Sequence, residues 1–150
     1  MADYQEPQME KWVRNGITPE VVSWANSFGQ FLCKKNPKDT NPKNALTTGQ
    51  LRKFFGEVKR IDADVIRHKV DIPMLKPLLA YAVGRDKKKA GRDMVNKTRI
   101  EEFCKEMSKA IDAIRYDNDD VLKSDYKNFV QIFESIVAYH KYYGGQENNN

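Results

Sequence analysis

Leu46–Ile61 reads LTTGQLRKFFGEVKRI. Thr47 and Gln50 stand three apart, the capping-box spacing, in which a hydroxyl and an amide each satisfy a backbone N–H at a helix start. Leu51, Phe54, Phe55 and Val58 follow at i, i+3, i+4 and i+7, which is one helical face. Lys53, Gly56 and Arg60 fall opposite, and Arg52 and Lys59, seven apart, share a flank. The stretch is therefore a helix with a core on one side. Its four bases, set against the single acid Glu57, point outward. A helical fold follows from the first property, and the second asks what negative object those bases meet.

The same rhythm recurs on both sides. Thr18, Pro19 and Glu20 make a start signal for a helix over about 19–35, with Val21, Val22, Trp24, Ala25, Phe28, Phe31 and Leu32 as its apolar surface. NPKDTNPKNA, residues 36–45, holds two Asn-Pro pairs and reads as a loop. Pro73 or Pro77 opens a helix striped by Leu75, Leu78, Leu79, Ala82 and Val83. Beyond Gly84 that stripe ends, and RDKKKAGRD reads as a helix end or a loop. Thr98 and Glu101 repeat the capping-box spacing ahead of Ile100, Phe103, Met107, Ile111 and Ile114. After the turn at RYDNDD, the residues Phe129, Ile132, Phe133, Ile136, Val137, His140 and Tyr143 share one arc, and Gly144 is a left-handed stop. No segment alternates with period two between hairpin turns. The expectation is an all-α, single-domain bundle of about five amphipathic helices over residues 1–150, with 1–15 and 145–150 as flexible tails.

The bulk properties fit that fold. A chain of 150 residues with 40% hydrophobic content can bury a real core. Mean hydropathy is −0.74. No apolar run approaches the ~20 residues of a membrane span, and the first residues lack the basic and apolar regions of a secretory signal. Cys33 and Cys104 fit neither a zinc pattern nor a CxxC pair. A cytoplasmic chain is expected. The net charge of +5 is unevenly spread. Residues 76–99 hold eight Lys/Arg against two Asp/Glu, whereas residues 100–150 hold six against ten. A protein that meets a polyanion on one side gains from such asymmetry.

Catalytic chemistry has little support. His68 and His140 are the acid–base candidates, but His140 lies on an apolar arc and His68 in the charged stretch IRHKVD. The carboxylate pairs Asp62/Asp64 and Asp119/Asp120 sit beside turns and supply too few oxygens for a hard cation. No phosphate-loop, dinucleotide, zincin or nucleophile-elbow motif occurs. No metal and no cofactor are expected. The Lys87–Lys89 run, by contrast, is joined by Lys76, Arg85, Arg92, Lys97 and Arg99 nearby and by the bases of the capped helix. Arg52, Lys53, Lys59, Arg60, Arg67, Lys76, Arg85, Lys87, Lys88, Lys89 and Arg92 are thus the candidate phosphate contacts. The tyrosines of AYHKYYGG read as core or protein-interface packing.

Three blocks carry a resemblance: LTTGQLRKFFGEVKRI, MLKPLLAYAVGRD and NFVQIFESIVAYHKYYGG. Together they resemble the small subunit of the type III-A CRISPR Csm effector complex. The likeness covers most of residues 46–145. It implies a small helical bundle, stacked in several copies along guide RNA and target RNA. It also implies contacts with the backbone and large subunits of the complex and with additional copies of itself, and no catalytic role. RNA-guided recognition leaves sequence reading to base pairing, so such a protein need only grip the backbone. A non-catalytic RNA-binding subunit in antiviral defence is the leading expectation. The alternatives are a helical scaffold whose basic face meets an acidic protein, and a small hydrolase using His68 or His140.

Overall fold

The computed structural model of the protein describes residues 4–34 and 46–144. Among them run six α-helices: α1 (Met9–Asn15), α2 (Pro19–Leu32), α3 (Thr48–Asp62), α4 (Leu75–Arg85), α5 (Ile100–Ala113) and α6 (Asp119–Tyr142). A 3-10 turn, Lys69–Asp71, precedes α4. Strands β1 (Lys87–Ala90) and β2 (Asp93–Asn96) form an antiparallel hairpin between α4 and α5. The architecture is helical, as expected, but two expectations need correction. A strandless chain is wrong at residues 87–96. Residues 9–15, assigned to a flexible tail, instead form a helix whose Met9, Trp12 and Val13 are buried. The 36–45 loop and the 145–150 tail lie outside the described residues.

The hairpin has a local cause. The register pairs Ala90 with Asp93, leaving Gly91-Arg92 as a two-residue loop. Gly91 has φ +65° and Arg92 does not share the positive φ. Glycine in the first central position is the signature of a type II′ turn, whose twist suits paired strands.

Helix ends follow the sequence unevenly. At α3 the capping box is complete: Gln50 N–H donates to Thr47 Oγ1 at 3.1 Å, and Thr47 N–H donates to Gln50 Oε1 at 2.9 Å. At α5 it is not. The helix starts one residue later than the Thr98 spacing suggests, and Thr98 Oγ1 accepts from Ile100 N–H instead. Asn118 caps α6 through Val121 N–H at 2.9 Å, and Gly144, φ +92°, ends it.

Helix α6 is the hub, packing against α1, α2, α3 and α5. Phe54, Phe103 and Phe133 meet edge-on or tilted, with Phe54 and Phe133 centroids 5.2 Å apart. Phe55 and Leu78 are only partly buried against this cluster. Gly29 sets α2 close against α6. A Cβ there would stand 2.6 Å from Tyr139 Cβ and 2.8 Å from His140 N. The fully buried Asp125 is held by the half-buried Arg115: its Nε and Nη2 each donate to Asp125 at 3.0 Å, and Arg115 backbone N–H adds a third bond at 2.9 Å. Asp125 therefore fixes the α5–α6 turn.

Candidate nucleic-acid interface

The C-terminal end of α4 runs straight into β1, so Arg85 and Lys87 flank a single residue, Asp86. Acid in a basic run suggests a surface charge, yet Asp86 is buried at 2% exposure. Its Oδ1 accepts from Gln50 Nε2 at 2.7 Å. Its Oδ2 accepts from Thr98 N–H at 3.0 Å and from Asn96 Nδ2 at 3.4 Å. Its carbonyl accepts from Lys97 N–H at 3.0 Å. Asn96 Nδ2 also reaches Val83 O at 3.0 Å. One carboxylate thus joins the cap of α3, the end of α4 and the closing strand of the hairpin. Gln50 serves twice, capping α3 with its oxygen and holding Asp86 with its nitrogen.

This joint places the basic side chains in two groups. In the first, Lys53 of α3 and Arg85 of α4 both stand over the exposed ring of Tyr81, each with its cationic centre 5.8 Å from the ring centroid. Lys87 and Lys89 are exposed on β1, Lys88 is half-buried beside its partner Val95, and Arg92 is exposed in the turn. Arg52 is exposed one residue before Lys53. Among the described residues, Arg52, Lys53, Arg85, Lys87, Lys89 and Arg92 make no ion pair.

The second group is committed to acids. Lys59 reaches Glu134 at 3.3 Å and Asp62 at 3.9 Å. Arg60 is held by Glu57 at 2.9 Å and Asp71 at 3.1 Å. The hydrogen bond from Arg60 draws the Glu57 carboxyl below its usual range. Lys76 pairs with Asp112 at 2.8 Å. Arg67 belongs to neither group: it is exposed in the turn after α3, and the bond to Asp64 comes from its backbone N–H. Arg99, at the edge of the basic run, is turned inward, its guanidinium 4.4 Å from the centroid of Phe31. Sequence spacing separates bases from the core face but is silent on acids from distant segments, such as Glu134 and Asp112.

Among the described residues no catalytic constellation converges. His140 is fully buried and its Nε2 lies 2.7 Å from Leu46 O, so the neutral ring donates there. Burial pushes its pKa below the usual histidine value. His68 lies beside Arg60 and Asp71. Burial raises the pKa of both thiols, Cys33 and Cys104, and a raised pKa leaves less of the nucleophilic thiolate. Among the described residues no cluster of three or more His, Cys, Asp or Glu could hold a metal ion, and no helix is long and apolar enough to cross a membrane.

The described residues thus form a small helical bundle with a basic face carried on α3, α4 and the hairpin. Residues 20–146 match the family Csm2 Type III-A, and the chain belongs to that family. It is a small subunit of the type III-A CRISPR Csm complex, a family of structural components that work among other subunits. A partial similarity also exists to the tyrosine recombinase XerC of Shewanella amazonensis (strain ATCC BAA-1098 / SB2B). It is 36% identical over 69 residues, covering 43% of this chain and 23% of that protein. The chain spans less than a quarter of the length of that curated relative. No solved structure matches the chain.

Proposed function

We propose that this chain grips the RNA backbone of the guide–target assembly within the Csm complex, using the bases that carry no acid of their own. The observation that supports this is the division just described. Lys59, Arg60 and Lys76 are neutralised within the chain, whereas Lys53, Arg85, Lys87, Lys89 and Arg92 keep their charge for an outside anion. Phosphates supply such an anion at regular spacing, and a grip of this kind is indifferent to sequence. The Asp86 joint holds α3, α4 and the hairpin in one arrangement, so the cations meet the ligand pre-organised rather than each ordering separately. Contacts with further copies of the chain and with the backbone and large subunits complete this proposal.

The test is equilibrium binding of the full chain to two unrelated RNA sequences across a salt series. Similar affinities for both and a log–log slope of roughly −0.7 per phosphate contact on single strands support the function. Intact RNA after incubation, with and without divalent metal, supports the absence of cleavage. Absence of RNA binding, together with salt-sensitive binding to an acidic protein of the complex, would assign the basic face to a protein partner instead.

A further inference from the structure

We infer that Tyr81 is a stacking platform for an unpaired RNA base, set inside the cationic surface. This rests on the RNA grip proposed above and goes beyond it, because a grip on phosphates needs no aromatic ring. Tyr81 is 58% exposed at a position where the rest of its helix buries Leu75 and Leu79. Core packing does not account for the ring. Lys53 Nζ and Arg85 Cζ both stand 5.8 Å from its centroid, well outside the van der Waals separation of about 3.5–4.0 Å at which two flat groups stack. The ring is thus exposed and attended by two cationic centres that do not themselves stand at stacking distance. Both are long side chains on exposed stems and can swing to phosphates on either side of a stacked base.

The ligand class follows from geometry. Within a continuous duplex a base shows its edges in the grooves and its faces are taken by neighbouring bases. Aromatic side chains stack on bases in loops, bulges, ends and single strands. Every base has such a face, so the contact adds affinity for unpaired nucleotides while remaining tolerant of sequence. The platform is rigidly mounted. Gln50 and Asp86 bond the start of α3 to the end of α4, which fixes the helix that carries Lys53 against the helix that carries Tyr81 and Arg85.

The experiment compares a fluorescently labelled single-stranded RNA of mixed sequence with a blunt RNA duplex of equal length. The proteins are the wild-type full chain, Tyr81→Leu, Tyr81→Phe and Lys53→Ala/Arg85→Ala. Melting curves check that each is folded, and Tyr81→Ala stands in for Tyr81→Leu should the latter melt early. The expected result is a loss of about 5- to 150-fold in single-strand affinity for Tyr81→Leu, the range of ~1–3 kcal/mol per stacked base. Duplex affinity stays unchanged, and Tyr81→Phe binds like wild type. Lys53→Ala/Arg85→Ala weakens both RNAs. Equal single-strand affinity for wild type and Tyr81→Leu overturns the platform and leaves the backbone grip standing, as does an equal loss on both RNAs. A wild-type chain that binds neither RNA overturns the grip and the platform together.

Discussion

Gln50 Nε2 donates to Asp86 Oδ1 across 2.7 Å, and the two residues are thirty-six positions apart. The bond ties the first turn of α3 to a buried carboxylate at the end of α4, directly beneath the most basic part of the surface. Asp86→Ala should orphan the Thr98 N–H and the Gln50 amide. Each lost bond to a charged group is worth about 1.5–3 kcal/mol, so the two together put the expected loss at ~3–6 kcal/mol in chemical denaturation. Asp86→Asn keeps an acceptor and should lose less. Similar stability for wild type and Asp86→Ala would mean the joint contributes no net stability.

The two groups of bases should separate in binding. Lys53→Ala/Arg85→Ala should weaken RNA binding by a similar factor for every sequence and flatten the salt dependence by roughly 0.7 per lost phosphate contact on single strands. Lys59→Ala/Arg60→Ala should do so less, because those cations already face Glu134, Glu57 and Asp71. The reverse order would show that the ion pairs of α3 open to RNA.

His140 makes stability depend on pH. Its folded pKa lies below the unfolded value because burial disfavours the cation. Stability is therefore full above the unfolded value, roughly 6.5, and falls as pH drops below it, where the unfolded chain takes up a proton that the folded chain refuses. Urea midpoints at pH 7.5 and 5.5 should differ for wild type, and the difference should shrink in His140→Gln. An unchanged pH dependence in a folded His140→Gln protein would assign the effect to other groups.

Phe133 is fully buried between Phe54, Phe55 and Phe103. Phe133→Ala should cost about 3–5 kcal/mol. Phe55→Ala, at a half-buried site, should cost less. A loss below roughly 1 kcal/mol for Phe133→Ala would mean that the site collapses around the cavity.

Gly29→Ala should destabilise by about 1–3 kcal/mol, the usual range for overpacking. The added methyl group would meet Tyr139 Cβ and the α6 backbone at under 3 Å. Thermal melts of Gly29→Ala beside the exposed-site control Gly56→Ala, where a Cβ meets nothing, read this out.

Most helices were legible because each carries its own apolar period. The α3 box at Thr47 and Gln50 needs only local spacing, and it forms as expected. The α5 box fails for a tertiary reason: Thr98 N–H is engaged by Asp86, so the chain enters α5 from a fixed position. The hairpin was hidden because KKKA and DMVN are poor strand formers, and only the Gly91 turn hints at it. Among the candidate contacts, the outward placement of Lys53 follows from periodicity. The internal neutralisation of Lys76 by Asp112 does not, since it joins residues thirty-six apart. Tyr81 and Asp86 escape the sequence pattern for opposite reasons: one is an exposed ring on a helix read for its apolar stripe, the other a buried acid in a basic run.

The family match begins at residue 20, but the protein's own cohesion does not. Tyr4 packs its ring on Phe28 and Phe31, with centroids 4.7 and 4.8 Å away, and its hydroxyl donates to the buried Glu106 at 2.6 Å. The Trp24 indole donates to Gln5 O at 2.7 Å, and α1 covers the flanks of α5 and α6. An expression fragment trimmed to the family boundary would leave Glu106 and the Trp24 N–H without these partners and open the aromatic ends of α2 to solvent. Such a fragment should be prone to clumping even though everything characteristic of its relatives had been kept. Cloning boundaries for this chain are better set by what Tyr4 touches than by where the likeness to other sequences begins.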